Sequence, residues 1–374
     1  MKQRSRTILL LAVASAIGFF CRASSAQLQP KIEARITVAH GGGYFPVLIR
    51  LKNGRLLVVY RYGAPHISVE GKLAVSWSDD GGRNWSKPLI VAAGKDDHRN
   101  PAMVELANGD ILLAYCVMDG YDASGRKFRA TVNGVDPRTA KPLWIIRSRD
   151  HGTTWSAPEE VHGMQALIQR GEMLNCFGKM TTASDGSVVM SVYSTPRDHH
   201  TSFEHIFRSI DSGRTWSDVS TVAQDVNETA VLALPGNRVV AALRTNKEQQ
   251  LLLTHSSDGG NTWSTPKAVT RSNEHPGDLI RLSNGDILLT SGERNAPRGA
   301  IALLSHDHGD TWGAQTRMVL ADDAPLFDCG YPSSVELPDG RIITVYYKVD
   351  DAATAPDSAT LNAIVWRLPT QSGH

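Results

Sequence analysis

Short apolar runs alternate along the chain with clusters of Gly, Asn, Asp and Ser, and no stretch between them keeps the period of an amphipathic helix. Two turn patterns punctuate the runs. In the first, an apolar run, a Gly-containing turn and a second apolar run recur at Asn53-Gly54, Asn108-Gly109, Asp185-Gly186, Pro235-Gly236-Asn237, Asn284-Gly285 and Asp339-Gly340. Asn-Gly and Asp-Gly between apolar runs predict β-hairpins, because the tight turn needs positive φ at its central residues. In the second, the octet Ser-x-Asp-x-Gly-x-x-Trp follows an apolar run at Ser78–Trp85, Ser148–Trp155, Ser209–Trp216, Ser256–Trp263 and Ser305–Trp312. Short Ser and Asp side chains bond nearby backbone N–H groups, Gly supplies positive φ, and Trp buries a large ring, so the octet predicts a tight turn between strands.

The two patterns interleave at a spacing of ~50–70 residues, the signature of a repeat architecture. Five of the six hairpins are followed by an octet, and the last by Ala363-Ile364-Val365-Trp366 instead. Six four-stranded units predict an all-β fold, a six-bladed β-propeller, with Ile32–Val38 closing the ring against the last blade. A calcium loop is the rival reading of Ser78-Asp79-Asp80-Gly81. No octet carries the spaced oxygen ligands ending in Glu that such a loop requires, so the octets are scaffold.

Lys2, Arg4 and Arg6 precede an apolar run from Ile8 to Phe20 and then Ser24-Ser25-Ala26, the layout of a cleavable secretory signal over residues 1–26. The propeller is then expected over residues 27–374, in a secreted or periplasmic product with no membrane span. Lys plus Arg number 39 against 38 Asp plus Glu, a net charge of +1. That balance argues against nucleic acid as a partner, since phosphate binding needs a basic surface. Cys116, Cys176 and Cys329 remain after removal of the signal, an odd count that cannot form a complete disulfide framework. They read as buried thiols.

In a propeller of this plan the inner strands begin, and the second strands end, on the face opposite the octets. Those places hold Tyr44-Phe45-Pro46, His98-Arg99-Asn100-Pro101, Asn227-Glu228-Thr229, Glu274-His275-Pro276-Gly277-Asp278 and Asp328-Cys329-Gly330-Tyr331. They also hold Arg61, Arg244 and Glu293-Arg294, and Arg298 precedes a third strand. Charged, His and Tyr side chains gathered around one axis predict a polar pocket for a glycan, with no metal or other cofactor evident in the spacing. His275 with Asp278 reads as a structural hydrogen bond or a contact to substrate rather than a metal site, because a third ligand is missing.

The octets resemble the Asp-box repeats of the sialidase (neuraminidase) superfamily, and the resemblance covers nearly the whole chain after residue 27. Asn227–Leu232 and Val240–Arg244 are similar to the blade in which that family carries a Glu and, one hairpin later, an Arg. Arg298 falls where it has a further Arg, and Gly330-Tyr331-Pro332-Ser333-Ser334-Val335 is similar to the strand carrying its Tyr nucleophile. The resemblance implies a sialidase-like exo-glycosidase in which Glu228 deprotonates Tyr331 and Arg244 and Arg298 clamp the carboxylate of a sialic acid or related acidic sugar. Two positions depart. The family's first-blade Arg-Ile-Pro is replaced by Tyr44-Phe45-Pro46, leaving Arg61 or Arg99 to supply the missing cation. The loop Arg61–Lys72 has no Asp for acid/base work, only His66 and Glu70. A glycan-binding propeller without catalysis, and a hydrolase or lyase for another sugar, remain the alternatives.

Overall fold

The computed structural model describes residues 28–131, 135–197 and 201–369. The expected signal segment, residues 1–26, lies outside the described residues. The described residues form six sheets of four or five strands, antiparallel but for one short pair, arranged as the blades of a propeller. Blade one runs outward through Gly42–Arg50, Leu56–Tyr62, Lys72–Ser78 and Leu89–Ala92. In blade six the order is Cys329–Glu336, Ile342–Val349, Ala359–Arg367 and then Lys31–His40, so the first strand of the chain forms the outer edge of the last blade. Pairing of Ile32 with Trp366 and of Arg35 with Ile364 closes the ring with main-chain hydrogen bonds.

The second strands are buried almost throughout, as in Leu56–Tyr60 and Ile111–Ala114. Each blade is packed between two others, so both faces of its middle strands are covered and the sequence shows continuous apolar runs instead of strict alternation. Between blades six and one, Leu48, Leu56 and Val58 meet Val335, Ile343 and Val345. Two features were not legible in the periodicity. A one-turn helix, Gln165–Gln169, precedes the inner strand of blade three, and that strand is broken. Gly178–Lys179 crosses to pair in parallel with Ala102–Met103 of blade two before Thr181–Thr182 rejoins its own blade.

Each octet begins on the last residue of a third strand. In the first, Ser78 Oγ donates to Asp80 Oδ1 at 2.8 Å and accepts from Gly82 N–H at 3.0 Å, while Arg83 and Asn84 N–H donate to the same Asp80 oxygen at 3.0 Å. Trp85 Nε1 donates to the Gly82 carbonyl at 3.0 Å. The Asn84 N–H bond, with its neighbours, holds the Asp80 carboxyl down at about 2. The Ser78 hydroxyl and both Asp80 carboxylate oxygens are spent on the turn itself.

The feature that positions the opposite face is a bulge shared by four inner strands. Strand register slips at Tyr44/Val47, Arg99/Ala102, Asn227/Ala230 and Gly330/Ser333. Within these bulges Phe45, Asn100, Glu228 and Tyr331 all take positive φ, at 55°, 49°, 41° and 51°. A left-handed residue in a bulge re-aims its side chain out of the sheet plane, at a cost of roughly 1–3 kcal/mol for a non-glycine. Four equivalent bulges therefore turn four side chains toward one axis.

Candidate active site

Tyr331 and Glu228, from bulges two blades apart, meet directly. The Tyr331 hydroxyl lies 2.9 Å from Glu228 Oε1 and 2.8 Å from Oε2. Arg244, at the end of the second strand of blade four, pairs with Glu228 through Nη1, which also reaches Tyr331 Oη at 3.3 Å. Burial, followed by the Glu228 charge, pushes the Tyr331 phenol up from its ordinary value, so it is neutral at rest. A phenol bonded to a carboxylate can release its proton to that carboxylate as it attacks an electrophile.

Aromatic rings wall the phenol. Phe45 meets Tyr331 edge-on at 5.0 Å, Tyr347 lies at 5.7 Å and Phe177 at 6.0 Å. Two more guanidinium groups stand on this wall: Arg294 is 5.4 Å from the Tyr331 ring centre, and Arg99 is 4.9 Å from that of Phe45. Arg294 is nearly buried, and among the described residues its hydrogen bond runs from Nε to the Cys329 carbonyl at 3.2 Å, with no acceptor there for either terminal nitrogen. Arg99 donates to Asn100 Oδ1 and to Asp97. Arg99, Arg244 and Arg294 thus surround an aromatic floor with open charge-assisted donors, a setting suited to an anion.

Several expected residues lie elsewhere. Arg61 is not a free clamp: its side chain is fully buried, bonded to Asp97 Oδ1 at 2.7 Å, to Ser68 O at 2.8 Å, and to the carbonyls of Ala64 and Pro65. It braces the loop after the second strand of blade one. Glu70 leaves the pocket for the surface, where it pairs with Arg126 at 2.8 Å. Arg298 donates to the Pro325 carbonyl at 3.3 Å and has no hydrogen bond to Glu228, Arg244 or Tyr331. After Arg244, the guanidinium placed against the phenol is that of Arg294, 5.4 Å from the Tyr331 ring centre. Asp278 is engaged with Lys179 Nζ at 2.6 Å and with Ser334 N–H at 2.7 Å, not with His275. His275 is buried against Gln249 Oε1 at 3.1 Å, and burial, with Arg244 and Arg294 nearby, drives its imidazole far below the usual range, so it stays neutral. His98 lies on the outer flank of blade two against Tyr115. The three cysteines are buried and unpaired.

His66 is brought to the wall. Its ring packs 5.0 Å from Phe45 and 5.2 Å from Tyr44, and Nδ1 lies 2.7 Å from Asp328 Oδ1. Asp328 also accepts from Tyr347 Oη at 2.5 Å. The repeat itself held a signal for Arg294: like Arg244 it stands at the end of a second strand, whereas Arg298 begins a third. Nothing in the spacing of Asp328 pointed to His66. A cavity of about 490 Å³ between blades two and three, lined by Asn108, Arg147, Arg149 and Arg214, opens on the octet face and contains none of these groups.

A family model described as a BNR repeat-like domain matches residues 54–344. A sialidase of Bacteroides fragilis is 24% identical over 356 residues, 86% of this chain and 62% of that protein. The chain therefore spans about three-fifths of the length of that curated relative. Among solved structures, a protein of unknown function from Dyadobacter fermentans superposes with a TM-score of 0.72 at 24% identity, over 92% of this chain and 99% of that one. A Hadza microbial sialidase does so with a TM-score of 0.67 at 18% identity, over 87% and 66% of the respective chains. These likenesses establish the propeller fold.

Proposed function

The chain belongs to the BNR repeat-like domain family, within the sialidase-like superfamily of six-bladed propellers, and on that premise we propose that it is an exo-glycosidase for a terminal sialic acid or related acidic sugar. The observation that carries the reading is the contact of Tyr331 Oη with both carboxylate oxygens of Glu228, with the Arg244 guanidinium against the pair. A sugar that bears a carboxylate on its anomeric carbon would repel an anionic nucleophile. A phenol is neutral until it reacts, so it approaches without that penalty, and Glu228 takes its proton as the bond to carbon forms. The product of such a covalent route keeps the anomeric configuration. Arg244 and Arg294, with Arg99 beside Phe45, would hold the substrate carboxylate.

Turnover of a 4-nitrophenyl sialoside tests the reading. Tyr331→Phe and Glu228→Gln should each abolish turnover. Arg294→Met should raise KM by roughly 10–100-fold, the loss of one charge-assisted hydrogen bond, while Arg298→Met leaves it nearly unchanged. Release of a different sugar from a glycan panel would reassign the specificity. Glycan binding without hydrolysis of any member would instead make this a binding propeller. Export is proposed as well, from Lys2, Arg4, Arg6 and the apolar run to Phe20, and mass spectrometry of the exported product should find a chain beginning near Gln27.

A further inference from the structure

We propose that His66, held by Asp328, donates the proton to the leaving group in this site, an inference that rests on the glycosidase reading above. The loop that carries His66 is fixed at both levels. Arg61 gathers the carbonyls of Ala64, Pro65 and Ser68 around one buried guanidinium, so the backbone on either side of His66 is tied to the blade. The imidazole is then oriented by Asp328 at 2.7 Å, and the Asp328 oxygen that accepts it also takes the Tyr347 hydroxyl. A carboxylate bonded to Nδ1–H leaves Nε2 as the working nitrogen. Among the described residues Nε2 has no hydrogen-bond partner, and a quarter of the side chain is open to solvent. The Phe45 ring lies 5.0 Å from both the imidazole and the Tyr331 ring, and Tyr347 contacts both as well.

The groups facing His66 define its chemistry. They are Asp328 and Tyr347 from blade six, Tyr44 and Phe45 from the inner strand of blade one, Arg61 from its second strand, and Arg99 from blade two. Burial lowers the imidazole from its ordinary value and Arg99 and Arg61 push the same way, while Asp328 opposes them. Burial alone would raise Asp328, yet His66, Tyr347 and Arg294 hold it below its usual range, so the partner of His66 is a carboxylate and not an acid. The proton balance is simple. As Tyr331 Oη bonds to the anomeric carbon and the bond to the leaving oxygen breaks, the phenolic proton passes to Glu228, and the leaving oxygen takes the Nε2 proton of imidazolium His66. Water then bonds to that carbon, returning its proton to Nε2, while Glu228 gives the proton back to the departing phenol oxygen. His66 thereby fills the acid/base role with an imidazole in a loop that has no Asp.

The test compares a 4-nitrophenyl with a methyl sialoside across pH. Departure of nitrophenolate needs no proton, and that of methoxide does. His66→Ala and His66→Gln should therefore lose roughly 10²–10⁴-fold in kcat/KM, which reports the leaving-group step, on the methyl substrate and little in kcat/KM on the aryl one. With wild type, kcat/KM for the methyl sialoside should fall as pH rises through a value below 6.5, because the acid must be protonated; Asp328→Asn should move that limb lower still. Nitrogen NMR of His66 should show the Nδ1–H tautomer in wild type and lose it in Asp328→Ala. Equal losses of kcat/KM on both substrates in the His66 variants, or an Asp328→Asn variant with an unmoved limb, would overturn the assignment. The glycosidase reading fails separately, through a wild-type protein that hydrolyses neither sialoside.

Discussion

The claim that Arg61 braces a loop instead of binding substrate can be decided by stability. Its guanidinium is wholly buried against an equally buried Asp97, with a 2.7 Å contact. Arg61→Met strips that partner and leaves the Asp97 carboxylate with Arg99 at 3.2 Å and Tyr121 Oη at 2.5 Å. Removing one member of a buried pair typically costs about 3–5 kcal/mol, since the remaining charge stays desolvated. The two surviving partners pull the estimate toward the lower end. Three carbonyls also lose their donor, at ~1 kcal/mol each if they stay dry, and that pulls it back up. We expect a loss of about 3–5 kcal/mol. Asp97→Asn added to Arg61→Met removes the stranded charge and should recover about half of that cost. On the same loop Glu70 is 60% exposed and its partner Arg126, from a loop of blade two, 47%, so Glu70→Gln should change stability by no more than ~1 kcal/mol. Guanidinium chloride denaturation at constant m value reads all three. An Arg61→Met protein as stable as wild type but with a greatly raised KM would refute the brace and restore Arg61 as a clamp.

Two further outcomes follow from particular contacts. Gly330 has φ +96°, and a Cβ there would sit 2.8 Å from the Gly292 Cα, a backbone atom that cannot swing aside. Gly330→Ala should displace the adjacent Tyr331 and lower kcat by about 10–100-fold, measured on the aryl sialoside, since misplacement by an ångström is costly to a nucleophile. Glu204 is fully buried, and burial, opposed by the Thr229 hydroxyl and reinforced by Glu228, raises its carboxyl well above the ordinary value. Below the unfolded value near 4.5 both states hold the proton; above it only the folded state does, so Glu204 lowers stability progressively as pH rises. Glu204→Gln should therefore gain on wild type between pH 5 and pH 8 in melting experiments, and parallel curves would exclude the buried acid.

The chain's local chemistry wrote most of the scaffold. Asn-Gly and Asp-Gly turns between apolar runs set six hairpins, and the Ser and Asp of each octet saturate their own turn, so both are decided within a few residues of sequence. Tyr331, Glu228 and Arg244 were legible as a set because the repeat aligns inner-strand starts and second-strand ends. The same logic, applied to blade five, pointed to Arg294 as much as to Arg298.

What only the closed ring decided is which of two neighbouring charges faces inward and which finds a partner on the rim. Arg61 and Glu70 stand nine residues apart, yet one is saturated inside the wall and the other pairs with a loop from blade two. His66 acquires its carboxylate from a residue 262 positions away, and Tyr331 its base from one 103 positions away. Such contacts depend on bulges of equal geometry in separate blades and on closure by the strand Lys31–His40, neither of which any local window of sequence contains.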